Sequence, residues 1–272
     1  MAAFPKLGLI GFGAIGKEIA VALDRLGEAD RLVATLVRPG RQPPFGVTGI
    51  ESLMAARPDA VIECAGHEAA RSYVPMLLEA GIDCILSSVG ALTDPGFAAA
   101  AYEAEGRGGG RLRLPAGAVA GLDGLVAAAL AGIEQVTYSS YKPPHAWRGT
   151  PAEQACDLDA PYDELPFFEG TARQAAANYP QNANVAVAVG LAGLGIDKTR
   201  VRLMSSRNVT DPLGIIEADG AFGHFRFDIL ALASRTNPKT SALTAYSLLQ
   251  GARLGGAWPL FKLPGAASLR GE

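Results

Sequence analysis

The sequence predicts an α/β protein: a doubly wound N-terminal domain followed by a smaller α/β (α+β) domain. Three observations carry this. Short apolar runs alternate with helix-period segments over the first 120 residues, a glycine-rich turn links the first run to the first helix, and the pattern changes after Pro115. Strands that alternate with helices of this length imply βαβ units and a parallel sheet with right-handed crossovers.

Taken in order, residues 7–10, 32–37, 60–63, 84–87 and 111–114 read as buried strands. Residues 14–26, 68–80 and 97–105 carry helical periodicity between them. Beyond Pro115, a helix is expected over 122–131 and a strand rich in β-branched and aromatic residues over 135–141. Residues 142–163 hold many Pro, Gly, Thr and Asp and read as loop. Helices are expected at 171–177 and 184–194, and strands at 200–204, 215–218 and 222–230, with Asp219-Gly220 as a hairpin turn. A final helix over 241–254, beginning near Lys239, precedes a Gly/Pro-rich tail. The boundaries that follow are 1–120 for the first domain and 121–238 for the second, with the segment 239–256 packing back on the first.

Bulk composition excludes several classes. Of the 272 residues, 49% are hydrophobic and 19% charged, which suits a packed globular chain, and the formal net charge of −3 offers no basic face for nucleic acid. Arg107, Arg111 and Arg113 cluster, but Gly108 to Gly110 separate them as in a solvated turn. No apolar run nears the roughly 20 residues that span a bilayer, and the residues before the glycine turn are too few for a secretory signal. Cys64, Cys84 and Cys156 lack metal-ligand spacing, and two of them sit in apolar runs, so a reducing compartment, the cytoplasm, is expected.

Gly11-Phe12-Gly13-Ala14-Ile15-Gly16 is a G-x-G-x-x-G pattern in the context that gives it meaning, directly after a strand and opening a helix. Gly11 permits the tight turn, Gly13 leaves room for a pyrophosphate against the backbone, and Gly16 allows close helix–strand packing. Free N–H groups at the helix start then favour an anion. The second strand ends in Val37-Arg38-Pro39-Gly40-Arg41, where an acidic residue would bind a ribose 2′-hydroxyl and an arginine a 2′-phosphate. The cofactor expected is NADP or NAD, leaning towards NADP through Arg38, although Arg38 and Arg41 could also be solvated loop residues. Small residues at Cys64-Ala65-Gly66-His67 and Ser88-Val89-Gly90-Ala91 leave room for ribose and nicotinamide. Ala65, Gly66, His67 and Val89 are therefore cofactor candidates, although His67 could equally be a helix-start residue bonding the backbone.

These motifs resemble those of the L-aspartate dehydrogenase family, as do Lys142-Pro143 with Ala146-Trp147, Gly149-Thr150-Pro151, and Tyr179-Pro180-Gln181-Asn182-Ala183-Asn184-Val185. Gly220-Ala221-Phe222-Gly223 and Asn237-Pro238-Lys239-Thr240-Ser241 continue the likeness, which runs from about residue 6 to 250. The resemblance implies a Rossmann domain, a smaller domain that carries the substrate site and a homodimer contact, and NAD- or NADP-dependent oxidation of aspartate to iminosuccinate. By motif match it places Ala118 and Asn184 at the cofactor. One departure stands out. The family's catalytic histidine falls six residues before the Gly-Ala-Phe-Gly motif, and that position is Gly214 here.

His224 is a conceivable substitute, provided a hairpin brings it near. Lys142 and Lys239 are candidates to bind a substrate carboxylate or else solvated lysines. Asn182 and Asn184, polar amides beside an apolar helix, suit either capping or a ligand. The partner expected is a small dicarboxylic amino acid, imine or keto acid, with no membrane and no nucleic acid. Two functions remain open: a dehydrogenase, or a catalytically retired nucleotide-binding paralogue acting as sensor or scaffold.

Overall fold

The computed structural model describes residues 4–180, 184–234 and 237–254. They form two compact units, 4–117 with 244–254 and 118–243, so the chain leaves the first unit once and returns to it.

The first unit runs β1 (Leu7–Ile10), α1 (Ala14–Arg25), β2 (Leu32–Leu36), β3 (Gly46–Val47), α2 (Ile50–Ala55), β4 (Ala60–Glu63), α3 (His67–Glu79), β5 (Asp83–Leu86), α4 (Pro95–Gly108) and β6 (Leu112–Arg113). Its six strands pair in parallel in the order β3-β2-β1-β4-β5-β6. That order bears out the expected doubly wound class. Helix formation follows the apolar spacing: Gly16, Ile19, Ala22 and Leu23 bury one face of α1, and Ala70, Val74, Leu77 and Leu78 that of α3. In α4, Asp94 accepts N–H bonds from Gly96 and Phe97, Pro95 occupies the first turn, and Gly109 ends the helix at φ +81°.

The second unit contains α5 (Leu122–Ala131), β7 (Ile133–Lys142), α6 (Ala152–Ala155), β8 (Glu164–Thr171), α7 (Ala172–Asn178), α8 (Asn184–Ala192), β9 (Arg200–Ser206), β10 (Leu213–Gly220), β11 (Gly223–Leu230), β12 (Ala233–Ser234) and β13 (Asn237–Ser241). Five strands form a mixed sheet in the order β11-β10-β7-β9-β8, with β7 and β9 parallel and the other neighbours antiparallel. Thr171 and Gln174 cap α7 reciprocally, side chain to backbone at 3.2 and 2.8 Å.

Helix α9 (Leu243–Leu254) belongs to the first unit. Its Ala245, Leu248, Leu249 and Ala252 join one cluster with Leu7, Leu9, Ile19, Ile62 and Ile85. Each fully buried leucine of this kind contributes about 1.5–3 kcal/mol. At the rim, Tyr246 donates to Glu18 at 3.0 Å and the Arg253 guanidinium stacks 5.1 Å from the Phe4 ring.

One strand falls in a stretch where the sequence predicts no element, and three local expectations are corrected. Residues 164–171 form the edge strand β8, where Pro166 is tolerated at an irregularity in the register. The β10–β11 hairpin turns at Ala221-Phe222 rather than Asp219-Gly220, because Gly220 pairs with Gly223, which supplies φ +109°. Residues 237–241 are strand, and the last helix starts at Leu243; Pro238 disfavours helical backbone in the residue before it. The expected loop over 142–163 contains the short helix α6 and a 3-10 turn at Pro144–Trp147. No helix among the described residues is long and apolar enough to cross a membrane.

Candidate functional site

The strand order reverses direction between β1 and β4, and in such sheets ligands bind outside the carboxyl ends of the strands at that point. Gly11 follows β1 there with φ +97°, a conformation that side chains rarely adopt. A β-carbon on it would stand 2.9 Å from Ala65 Cα, so the turns after β1 and β4 touch. Gly16 is equally constrained, since its β-carbon would meet the Gly11 carbonyl oxygen at 2.6 Å. Gly13 differs. Its φ is −80°, and a β-carbon on it would meet nothing within 4 Å.

That open space lies at the start of α1, whose N-terminus has no side-chain cap and no acidic residue in its first turn. The first N–H groups of Ala14, Ile15 and Gly16 therefore lack a competing carboxylate. The arrangement fits a pyrophosphate: a cradle that a β-carbon would fill, backed by a positive helix end.

Two further turns flank the cradle. Ala65 is exposed, and Gly66, at φ +121°, and His67 are half-buried where α3 begins. Val89 is buried in a 3-10 turn after β5. Beneath both turns lies Glu63, a fully buried carboxylate. Burial pushes its carboxyl up from the usual range, while N–H bonds from Gly66 and Ala65 and both polar groups of Ser88 pull the other way. In the sequence Glu63 stands out only as the lone acid that closes the apolar run Ala60-Val61-Ile62 and opens the family-like motif Glu63-Cys64-Ala65-Gly66-His67, which gives it no role by itself. Burial also pushes the Cys64 thiol up, and the thiol donates to the Gly11 carbonyl at 3.4 Å.

Arg38 is exposed two residues beyond β2, in a turn closed by the Arg41 N–H donating to the Arg38 carbonyl at 3.4 Å. No acidic residue stands at this strand end.

In the second unit, the same face of the sheet carries Tyr138, Ser140 and Lys142 of β7 beside Gly214 and Ile216 of β10, because Ser140 pairs with Gly214 and Tyr138 with Ile216. Lys142 is 9% exposed, and its ammonium lies 4.9 Å from the Trp147 ring centroid. Trp147 is itself fixed by donating to the Met204 carbonyl at 3.0 Å. Burial pushes the Tyr138 hydroxyl up to about 12, opposed by its hydrogen bond with Ser140, so at neutral pH the phenol keeps its proton. Tyr138 is a residue that sequence reasoning did not single out. Asn184 is half-buried at the first position of α8, and Ala118 is half-buried at the start of this unit.

The structure does not bring His224 to Gly214. A hairpin does form, but its register pairs Gly214 with Ile229 and Asp219 with His224. His224 thus stands five residues along the strand, roughly 17 Å away, and the odd offset turns it to the opposite face. There it is exposed, with Nδ1 2.8 Å from Asp219 Oδ1. Asn182 lies outside the described residues. Lys239 falls in β13 rather than at a helix start.

Two family models match the chain: the NAD binding domain of homoserine dehydrogenase over residues 11–115, and the C-terminal domain of aspartate dehydrogenase over residues 123–254. The L-aspartate dehydrogenase of Cupriavidus necator is 39% identical over 258 residues, covering 90% of this chain and 95% of that protein. That of Ruegeria pomeroyi is 43% identical over 258 residues, covering 93% of each. Among solved structures, aspartate dehydrogenase from Thermotoga maritima superimposes with a TM-score of 0.71 at 25% identity, covering 90% of this chain and 94% of that one. With a parallel nucleotide-binding sheet, a mixed second sheet and kinship along nearly its whole length, this chain belongs to the L-aspartate dehydrogenase family of NAD- or NADP-dependent oxidoreductases acting on CH–NH2 groups.

Proposed function

We propose that the protein is an NAD(P)-dependent dehydrogenase or reductase for a small dicarboxylic amino acid or the matching imine or keto acid, with aspartate the first substrate to test. The observation that carries this reading is the glycine turn at the strand-order reversal, where Gly11 and Gly16 are locked by contact and Gly13 alone faces open space.

Gly13, Ala14, Ile15 and Gly16 would hold the pyrophosphate, and Ala65, Gly66, His67, Val89, Ala118 and Asn184 the remainder of the dinucleotide. Arg38 and Arg41 offer their guanidiniums to a 2′-phosphate, which favours NADP. The bound nicotinamide supplies the hydride or accepts it. Lys142, a nearly buried cation, suits a substrate carboxylate, and Lys239 and Asn182 complete the set taken from the family motifs.

In the oxidative direction the α-carbon gives up a hydride and the nitrogen a proton, leaving a C=N bond. Tyr138, protonated at neutral pH, can donate a hydrogen bond but cannot take up that proton. With glycine at 214, no imidazole stands there to activate water for the hydrolytic half. Reduction of a preformed imine or carbonyl needs placement of the reacting carbon above all, and survives this loss. A homodimer built on the second unit and a cytoplasmic location complete the reading, the latter supported by three cysteines that are all free thiols.

Gly214 also favours a second reading, a nucleotide-binding paralogue without turnover. Loss of nicotinamide absorbance from NADPH and NADH with oxaloacetate plus ammonia, run beside aspartate oxidation, separates the two. Turnover establishes the enzyme; dinucleotide binding with no turnover across a panel of imines and keto acids establishes the scaffold.

A further inference from the structure

A carboxylate with no solvent exposure is held only where polar partners surround it, and among the described residues Glu63 accepts four hydrogen bonds from the two turns that follow β4 and β5. Its Oε1 accepts the backbone N–H groups of Ala65 and Gly66 at 2.8 Å each and the Ser88 hydroxyl at 3.1 Å. Its Oε2 accepts the Ser88 N–H at 3.1 Å. Two contacts extend this bracket to the glycine turn: the close approach of Ala65 to Gly11, and the Cys64 thiol on the Gly11 carbonyl.

The direction of these bonds has a chemical consequence. The N–H groups of residues 65, 66 and 88 all point inward and are spent on Glu63, so none is left for a phosphate. The anion falls to the uncapped start of α1, and the turns at 64–66 and 87–89 suit the nicotinamide-riboside half. We infer that Glu63 is the positioning residue of that half: it touches no cofactor but holds the shape of both turns that do. This rests on the dinucleotide reading above.

The test compares Glu63→Ala, Glu63→Gln and Ser88→Ala in the full chain, titrating NADPH, NADH and ADP by fluorescence or calorimetry, with circular dichroism and thermal unfolding alongside. Loss of these buried bonds is expected to raise the Kd of the reduced dinucleotide about tenfold in Glu63→Ala, while ADP, which uses the glycine turn and the end of β2 but neither of the bracketed turns, stays within about threefold. Glu63→Gln keeps one accepting oxygen and recovers part of the loss; Ser88→Ala, which keeps three of the bonds, falls nearer the wild type. If Glu63→Ala does not fold, the other two variants carry the same comparison. Equal weakening of ADP and dinucleotide, in step with lost thermal stability, assigns Glu63 a general structural role and overturns the inference, as do unchanged dinucleotide affinities in all variants. Failure of the wild-type chain to bind any dinucleotide overturns the site reading itself and this role with it.

Discussion

The hydroxyl of Tyr138 lies 3.5 Å from the point that a β-carbon on Gly214 would occupy, and its Cε2 lies 3.4 Å away. Both are ordinary van der Waals contacts, so β10 accepts a β-carbon at 214 without moving backbone. Gly214→His is expected to fold like the parent and to place an imidazole beside a protonated phenol. If this position is the vacant acid–base seat, aspartate oxidation rises by about 10²–10⁴-fold, the usual worth of such a group. Steady-state assays of parent and variant decide it; a folded variant no faster than the parent refutes the assignment.

Gly13 and Gly11 should respond differently to the same methyl group. Gly13→Ala meets no neighbour and keeps an ordinary φ, so thermal stability should hold within about 0.5 kcal/mol while dinucleotide affinity falls. Gly11→Ala forces a β-carbon against the Ala65 backbone at φ +97° and should cost about 2 kcal/mol or more as well as binding. Melting curves and NADPH titrations of the pair measure both effects. Wild-type affinity in Gly13→Ala would show that no pyrophosphate approaches there.

Arg38→Asp is expected to reverse the cofactor preference. It removes a guanidinium from the end of β2 and installs the acid that binds a ribose 2′-hydroxyl. The ratio of kcat/KM for NADPH over NADH should drop by roughly 10–100-fold, the worth of one or two charge-assisted bonds. An unchanged ratio would remove Arg38 from the site.

Leu248, fully buried on α9, packs into the cluster of β1, β4 and α1 side chains. Leu248→Ala should destabilise the protein by about 3 kcal/mol through lost burial and the cavity left behind. Denaturant unfolding checks it, and a loss under about 1 kcal/mol would mean that α9 does not anchor the first unit as its contacts indicate.

Much of this protein was legible residue by residue. The runs 7–10 and 60–63 and the helix 122–131 read directly as the elements that form, because each is bounded within a few residues by glycine, charge or a change of period. The phosphate turn was legible for the same reason: its three glycines and the helix they open are contiguous. Edge strand β8 was not, since Pro166 and Phe167-Phe168 blur its alternation. The true position of the hairpin turn depended on which glycine closes the ladder.

By itself, then, the sequence determined the fold class, the glycine cradle and the kinship, all of which are written in local pattern. Only the tertiary structure decided which distant groups meet. It placed Ser88 on Glu63 across 25 residues of chain, Tyr138 beside Gly214, and His224 on the wrong face and five residues out of reach. The physical reason is strand register: a single residue of offset reverses every side chain on a strand, and that offset is set by pairing between segments far apart in the chain.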